Sequence, residues 1–154
     1  MKPIVPYTSK GFNTGKIAVE IAKELNCGSL RITQSSLANS VDLDNYDLIF
    51  IGTGIHFGNP NEDLISYLNR IKLINLKFFA IFLTWFGAGK VNQYFKSKLK
   101  SVLESNSQKV IEDCFVCLRW MDLLRRGHPN SEDAQDARNW AKRTSKHQPV
   151  ASFS

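Results

Sequence analysis

The chain has 154 residues, 43% of them hydrophobic and 22% charged, and carries a formal net charge of +6, which fits one globular domain with a real core. The longest apolar run, residues 78–86, is too short to span a bilayer, and residues 1–3 lead straight into the first apolar run, which predicts no secretory leader. Three cysteines, Cys27, Cys114 and Cys117, without ligand-rich spacing argue against a metal site and for a reducing compartment, the cytoplasm.

Taken in order, Ile4-Val5-Pro6-Tyr7 is a short apolar strand that stops at a polar turn, Thr8, Ser9, Lys10, Gly11, Phe12, Asn13 and Thr14. A helix follows at once, because Ile17, Ala18, Ile21, Ala22 and Leu25 recur on one face with Lys16, Glu20, Lys23 and Glu24 on the other. The first N–H groups of a helix lack internal partners and carry partial positive charge, so this turn suits an anion, best a phosphate. Hydroxyls of Thr8, Ser9 and Thr14 add donors, and Gly11 permits a left-handed backbone if the loop needs one. The Gly-Lys-Ser/Thr triplet of Walker-type loops is absent, and Gly11 and Gly15 are wrongly spaced for a dinucleotide fingerprint.

Asn26-Cys27-Gly28 reads as the helix stop, with the glycine just past the end. A short strand at 30–33 precedes a polar connection over 34–45. The run 46–52 is apolar and β-branched, as expected of a strand buried on both faces. It breaks into a special loop, Thr53, Gly54, Ile55, His56, Phe57 and Gly58. Asn59 is expected to cap the next helix, with Pro60 at its first position and acids in its first turn. The strand at 78–83 ends in Thr84, Trp85, Phe86 and Gly87. The helix after it is expected to turn Val91, Tyr94, Phe95, Leu99, Val102 and Leu103 inward. A fifth strand over 109–118 and a closing helix from Asn130 or Ser131 complete the domain, 1–146, and 147–154 is expected to be a flexible tail.

Strands alternating with helices predict an α/β fold with parallel pairing and right-handed crossovers. Ligands of such sheets bind beyond the carboxyl ends of the strands. The three loops of unusual composition follow the first, third and fourth strands and so share that edge.

The turn at Ser9, Asn13 and Thr14 resembles the phosphate loop of the flavodoxin family, with Phe12 where that family has glycine. Residues 46–58 resemble its third strand and second flavin loop, and residues 127–133 the entrance to its last helix. The resemblance covers residues 4 to about 143. It implies a doubly wound, flavodoxin-like five-stranded parallel sheet in the order 2-1-3-4-5, and a non-covalent flavin mononucleotide (FMN). The phosphate would lie in the loop Thr8–Thr14 and the ring between the loops Thr53–Gly58 and Thr84–Gly87. His56, Phe57, Trp85 and Phe86 are candidates to stack on the flat ring, Trp85 foremost. Gly54 and Gly58 would let the backbone approach the ring and present a carbonyl to the half-reduced flavin. No acid–base residue and no metal ligand is expected.

Cys114 and Cys117 are three apart in a strand, hence on opposite faces, and read as core rather than as a redox dithiol. Up to residue 71 there are 6 Lys/Arg against 7 Asp/Glu, and beyond it 14 against 7. The basic half, without a nucleic-acid signature, points to an acidic redox partner protein or an anionic membrane surface rather than to nucleic acid. The resemblance implies an electron carrier between redox proteins. A flavin-dependent oxidoreductase of the protoporphyrinogen oxidase type and a cofactor-free interaction module of the same topology are the alternatives. The oligomeric state is not legible.

Overall fold

The computed structural model describes residues 1–33, 42–56, 59–86, 91–119 and 129–146, and only the backbone at 56, 59, 60, 86, 91, 118 and 119. The elements in chain order are β1 (Pro3–Thr8), α1 (Asn13–Glu24), β2 (Ser29–Arg31), a single 3-10 turn (Leu43–Asn45), β3 (Leu48–His56), β4 (Asn59–Pro60), α2 (Glu62–Arg70), β5 (Phe78–Phe86), α3 (Val91–Ser105), β6 (Lys109–Val110), β7 (Phe115–Arg119) and α4 (Ser131–Lys146).

The sheet runs β2-β1-β3-β5, with β6 and β7 both pairing β5 and together taking the fifth place. Every one of these pairings is parallel, so the expected order 2-1-3-4-5 is the order found. The fifth strand is broken where an unbroken run was expected. From Phe79 to Phe82 β5 advances three residues while its partner advances five, from Val110 to Phe115. Two extra residues are an even number, so the side-chain alternation survives the break and Phe115 still lies on the same face as Phe82.

β3 and β5 are the centre of the sheet, in register from Leu48 opposite Phe78 to Ile55 opposite Trp85. Their alternate residues build two cores. Ile49, Ile51, Ile55, Phe79, Ile81, Leu83 and Trp85 face Leu64, Tyr67 and Leu68 of α2 and Phe95, Leu99 and Leu103 of α3. Leu48, Phe50, Ala80 and Phe82 face Ile17, Ala18, Ile21 and Ala22 of α1 and Ala137, Trp140 and Ala141 of α4. The Trp140 ring is edge-on to Phe50, 5.4 Å between centroids, and its indole N–H donates to the Asp113 carbonyl at 3.3 Å. Above these layers Arg138 pairs with Glu20, which joins α4 to α1.

Pro6 is accommodated by an interruption. The β1–β3 ladder pairs Ile4 with Ile49 and Tyr7 with Gly52 but skips the two positions between, where proline has no N–H to give. Three expectations about helix ends and faces need correction. Asn59 and Pro60 do not open α2; they form β4, antiparallel to Ile55 and His56, and Asn61 is the cap, its side chain accepting from the Asp63 amide at 3.0 Å. α1 is closed by Asn26, φ 49°, rather than by Gly28, with Asn26 N–H donating to Lys23 and Cys27 N–H to Ala22 in a Schellman turn. Tyr94 is exposed and lies against the edge of Phe95 instead of pointing inward. The polar connection at 34–41, the entrance residues 127 and 128 and the tail 147–154 lie outside the described residues.

Candidate functional site

β1 ends in a buried threonine, Thr8, and β3 and β5 each carry one near their carboxyl ends, Thr53 and Thr84. Thr8 and Thr53 are paired in register, and the Thr8 hydroxyl donates to Thr53 Oγ1 at 2.9 Å; Thr53 in turn donates to the Gly54 carbonyl at 3.2 Å. Thr84 faces the other way along the edge and shares a 2.6 Å hydrogen bond with Thr14 in the first turn of α1. Two separate pairs thus tie β1 to β3 and β5 to the start of α1, and none of the four hydroxyls is left unpaired in the interior. The sequence marks these threonines singly, at strand ends and in the turn, but their pairing depends on the register of β1 against β3 and of α1 against β5.

Outside this layer lies the first loop. Ser9 closes it as a local turn, its hydroxyl bonded to the Gly11 carbonyl and accepting from the Gly11 amide at 3.3 Å. Arg31, at the end of β2, reaches across to donate to the Ser9 carbonyl at 2.9 Å, a tether not marked by the sequence. Gly11 does not use a left-handed conformation, and a side chain there would meet open space. Phe12 stands where a glycine was expected from the resemblance. Its backbone is right-handed, φ −97° and ψ −15°, and its ring is 82% exposed, so it occupies the N-cap of α1 without strain and leaves the loop interior clear.

That N-cap differs from those of α2 and α4. α2 begins with an asparagine cap and two acids, and α4 with a reciprocal pair in which the Asn130 side chain accepts from the Asp133 amide and Asp133 from the Asn130 amide, each at 2.9 Å. α1 has neither a capping side chain nor an acid in its first turn. Lys10 and Lys16, both exposed, flank it instead. The first turn of α3 is acid-free as well, so the missing acid is not by itself special to α1; with no capping side chain and two lysines beside it, this N-terminus favours an anion. On the outer side of this loop a cavity of about 590 Å³ opens between Phe12, Lys16 and Val19, Arg31, and Asn130 and Ser131 at the start of α4.

The second and third loops begin later than expected: Thr53 to His56 continue β3 and Thr84 to Phe86 continue β5, and the residues that follow are described only in part. Gly54 and Ile55 are buried at the end of β3, and His56 pairs through its backbone with Asn59. Phe57, Gly58 and Gly87 lie outside the described residues, as do the side chains of His56 and Phe86. Trp85 is only 5% exposed and packs into the α2/α3 core, so it forms an apolar wall below the edge rather than an open face. Cys117 is level with Thr84 on β7 and buried, while Cys114 packs on the opposite face. Burial pushes both thiols up to about 12, and together with their placement on opposite faces this argues against a redox dithiol. Among the described residues no group of acids, histidines and cysteines could hold a metal ion.

A three-layer α/β fold with a parallel sheet in the order 2-1-3-4-5 is the flavodoxin-like one. The flavodoxin domain family model matches residues 4–124, and the chain belongs to that family. It is 32% identical over 151 residues, 92% of this chain and 97% of the other, to an uncharacterized protein of Methanocaldococcus jannaschii. The fold is similar to that of oxidised flavodoxin 2 from Bacillus cereus (TM-score 0.72, 17% identity, 95% of this chain and 99% of that one) and to a flavodoxin from the domain Archaea (TM-score 0.65, 16% identity, 95% and 97%). A flavoprotein from Lactobacillus acidophilus, solved in complex with FMN, is similar over 76% of this chain and 92% of its own (TM-score 0.57, 21% identity).

Proposed function

We propose that the chain binds one FMN non-covalently and carries electrons between redox partner proteins. The start of α1 carries this reading: an acid-free helix N-terminus without a capping side chain, flanked by Lys10 and Lys16, set beside the carboxyl ends of β1, β3 and β5. The donor set fits a phosphate. The loop Thr8–Thr14 would hold it, chiefly through the backbone of Gly11, Phe12, Asn13 and Thr14, with Ser9 and Lys10 at its side.

The segments Thr53–Gly58 and Thr84–Gly87, strand ends with the residues that follow them, would hold the ring. Gly54 presents backbone where a side chain would intrude, Ile55 and Trp85 supply the apolar wall, and His56, Phe57 and Phe86 are the candidates to cover the ring faces. The Thr8–Thr53 and Thr14–Thr84 pairs hold the loop bases in fixed relation, so that the pocket is organised before the ligand arrives. FMN, when bound, supplies the electron chemistry, and the protein supplies position, water exclusion and field.

The same reading assigns the domain to residues 1–146 with a tail beyond, an acidic redox partner matched to the +6 charge, no nucleic-acid partner, and a cytoplasmic location. The experiment is an absorption spectrum of the purified protein followed by FMN titration of the apoprotein. Flavin fluorescence quenched to saturation at one FMN per chain, and weakened by Thr14→Glu, is the expected result; undiminished fluorescence overturns the proposal.

A further inference from the structure

At the opposite edge of the sheet, away from the loops discussed above, the loop between α2 and β5 presents Ile74, 89% exposed, and Leu76, 52% exposed. This loop is fastened. The Asp44 carboxylate accepts from the Ile74 amide at 3.1 Å and from the Asn75 amide at 3.3 Å, and the neighbouring Lys77, itself buried, donates to the Asp44 carbonyl at 2.6 Å. The two apolar tips are therefore held outward by design of the backbone around them.

Cations surround the tips. Asp47 N–H donates to the Lys2 carbonyl, Phe78 N–H to Asp47 and Lys109 N–H to Lys77, which sets Lys2 and Lys109 along one line at this edge. Both lie over aromatic rings, Lys2 Nζ 4.8 Å from the Tyr46 centroid and Lys109 Nζ 5.9 Å from that of Phe78. Arg70 and Lys72, also exposed, lead into the loop from α2. Of the nearby acids, Asp44 is bound to the loop and paired with Lys77, while Asp42, which caps the 3-10 turn, and Asp47, which accepts from the Lys2 amide, are exposed, so the cations outnumber the acids at this edge without being alone there.

We propose that this edge docks on an anionic lipid surface, with Ile74 and Leu76 entering the headgroup boundary and Lys2, Lys72, Lys109 and Arg70 meeting lipid phosphates and carboxylates. The shape favours lipid over a folded partner: the aliphatic tips stand clear of the surface as separate points and line no groove, and an interface anchor in a protein pocket is more often aromatic or arginine at the centre of a flat patch. A fluid headgroup layer needs no complementary shape, only apolar points and a cationic rim. Docked this way the protein would present its carboxyl edge to the aqueous phase, a geometry independent of which ligand that edge holds.

Co-sedimentation with vesicles tests this directly, using phosphatidylcholine alone and phosphatidylcholine mixed with phosphatidylserine. The expected result is binding to the mixed vesicles, reversed by high salt, and at least about fivefold weaker in Ile74→Asp/Leu76→Asp and in Lys72→Glu/Lys109→Glu. Phe12→Ser at the other edge should bind like the wild type, and unchanged thermal melting should show that every variant is folded. No binding to the mixed vesicles, binding unaffected by both double variants, or a shift of the Ile74→Asp/Leu76→Asp variant to a smaller species on gel filtration, which would make the loop a protein contact, overturns the proposal.

Discussion

Gly52 sits in β3 one residue before the threonine layer, and a β-carbon there would lie 2.0 Å from Phe82 Cζ. Phe82 is fully buried and has nowhere to retreat. Gly52→Ala should therefore destabilise the fold by about 1–3 kcal/mol or more, read as a lower urea midpoint with an unchanged slope. Thr14→Val removes one partner of the Thr14–Thr84 bond and leaves a buried hydroxyl unpaired, at a cost of about 1–3 kcal/mol by the same measurement. Burial of the Cys114 and Cys117 thiols predicts that Ellman's reagent labels neither in the native protein and both after unfolding. At this scale the sequence shows residue types but not partners. Thr8, Thr14, Thr53 and Thr84 are legible as polar groups at strand ends, whereas their pairing belongs to the register.

Among elements, periodicity served best where a face is buried on one side, as in α1, or on both, as in β3 and β5. It served less well at helix ends, where chemistry competes. Asn59, Pro60 and Asn61 all satisfy the preferences of a helix start; the antiparallel pairing of Asn59 with His56 consumes the first two and leaves Asn61 to cap. Asn26 and Ser107, φ 49° and 60°, close α1 and α3 where glycine would be easier. Asn26→Gly is expected to raise stability by a few tenths to about 1 kcal/mol, seen as a higher melting temperature.

Two carboxylates tie elements together in a pH-dependent way. Hydrogen bonds from the Ile74 and Asn75 amides, with Lys77 close by, hold Asp44 below the usual carboxylate range, and the bond from Lys23, helped by Arg138, does the same for Glu20. A carboxyl depressed in the native state contributes stability that is complete above its unfolded pKa and is lost as pH falls through the folded value. Melting temperature should thus be level near neutrality and decline below the ordinary carboxylate range, and Asp44→Asn should flatten part of that decline.

For the whole molecule, the fold was legible because strands and helices alternate with clear periods, and that the three odd segments share one edge was legible because they follow parallel neighbouring strands. The broken fifth strand was not, since residues 109–119 carry an apolar pattern that two extra residues leave in phase. Trp140 joins the layers at the far side of the sheet from α2 and α3, and Trp140→Ala is expected to cost about 3–5 kcal/mol in chemical denaturation. The central claim, that the start of α1 holds the phosphate of FMN, is tested most directly by titrating the apoprotein with FMN and with riboflavin, which has the ring but no phosphate. The account predicts FMN binding at one per chain and at least about tenfold more tightly than riboflavin, in keeping with hydrogen bonds to a charged group; equal affinities, or no binding of either, would contradict it.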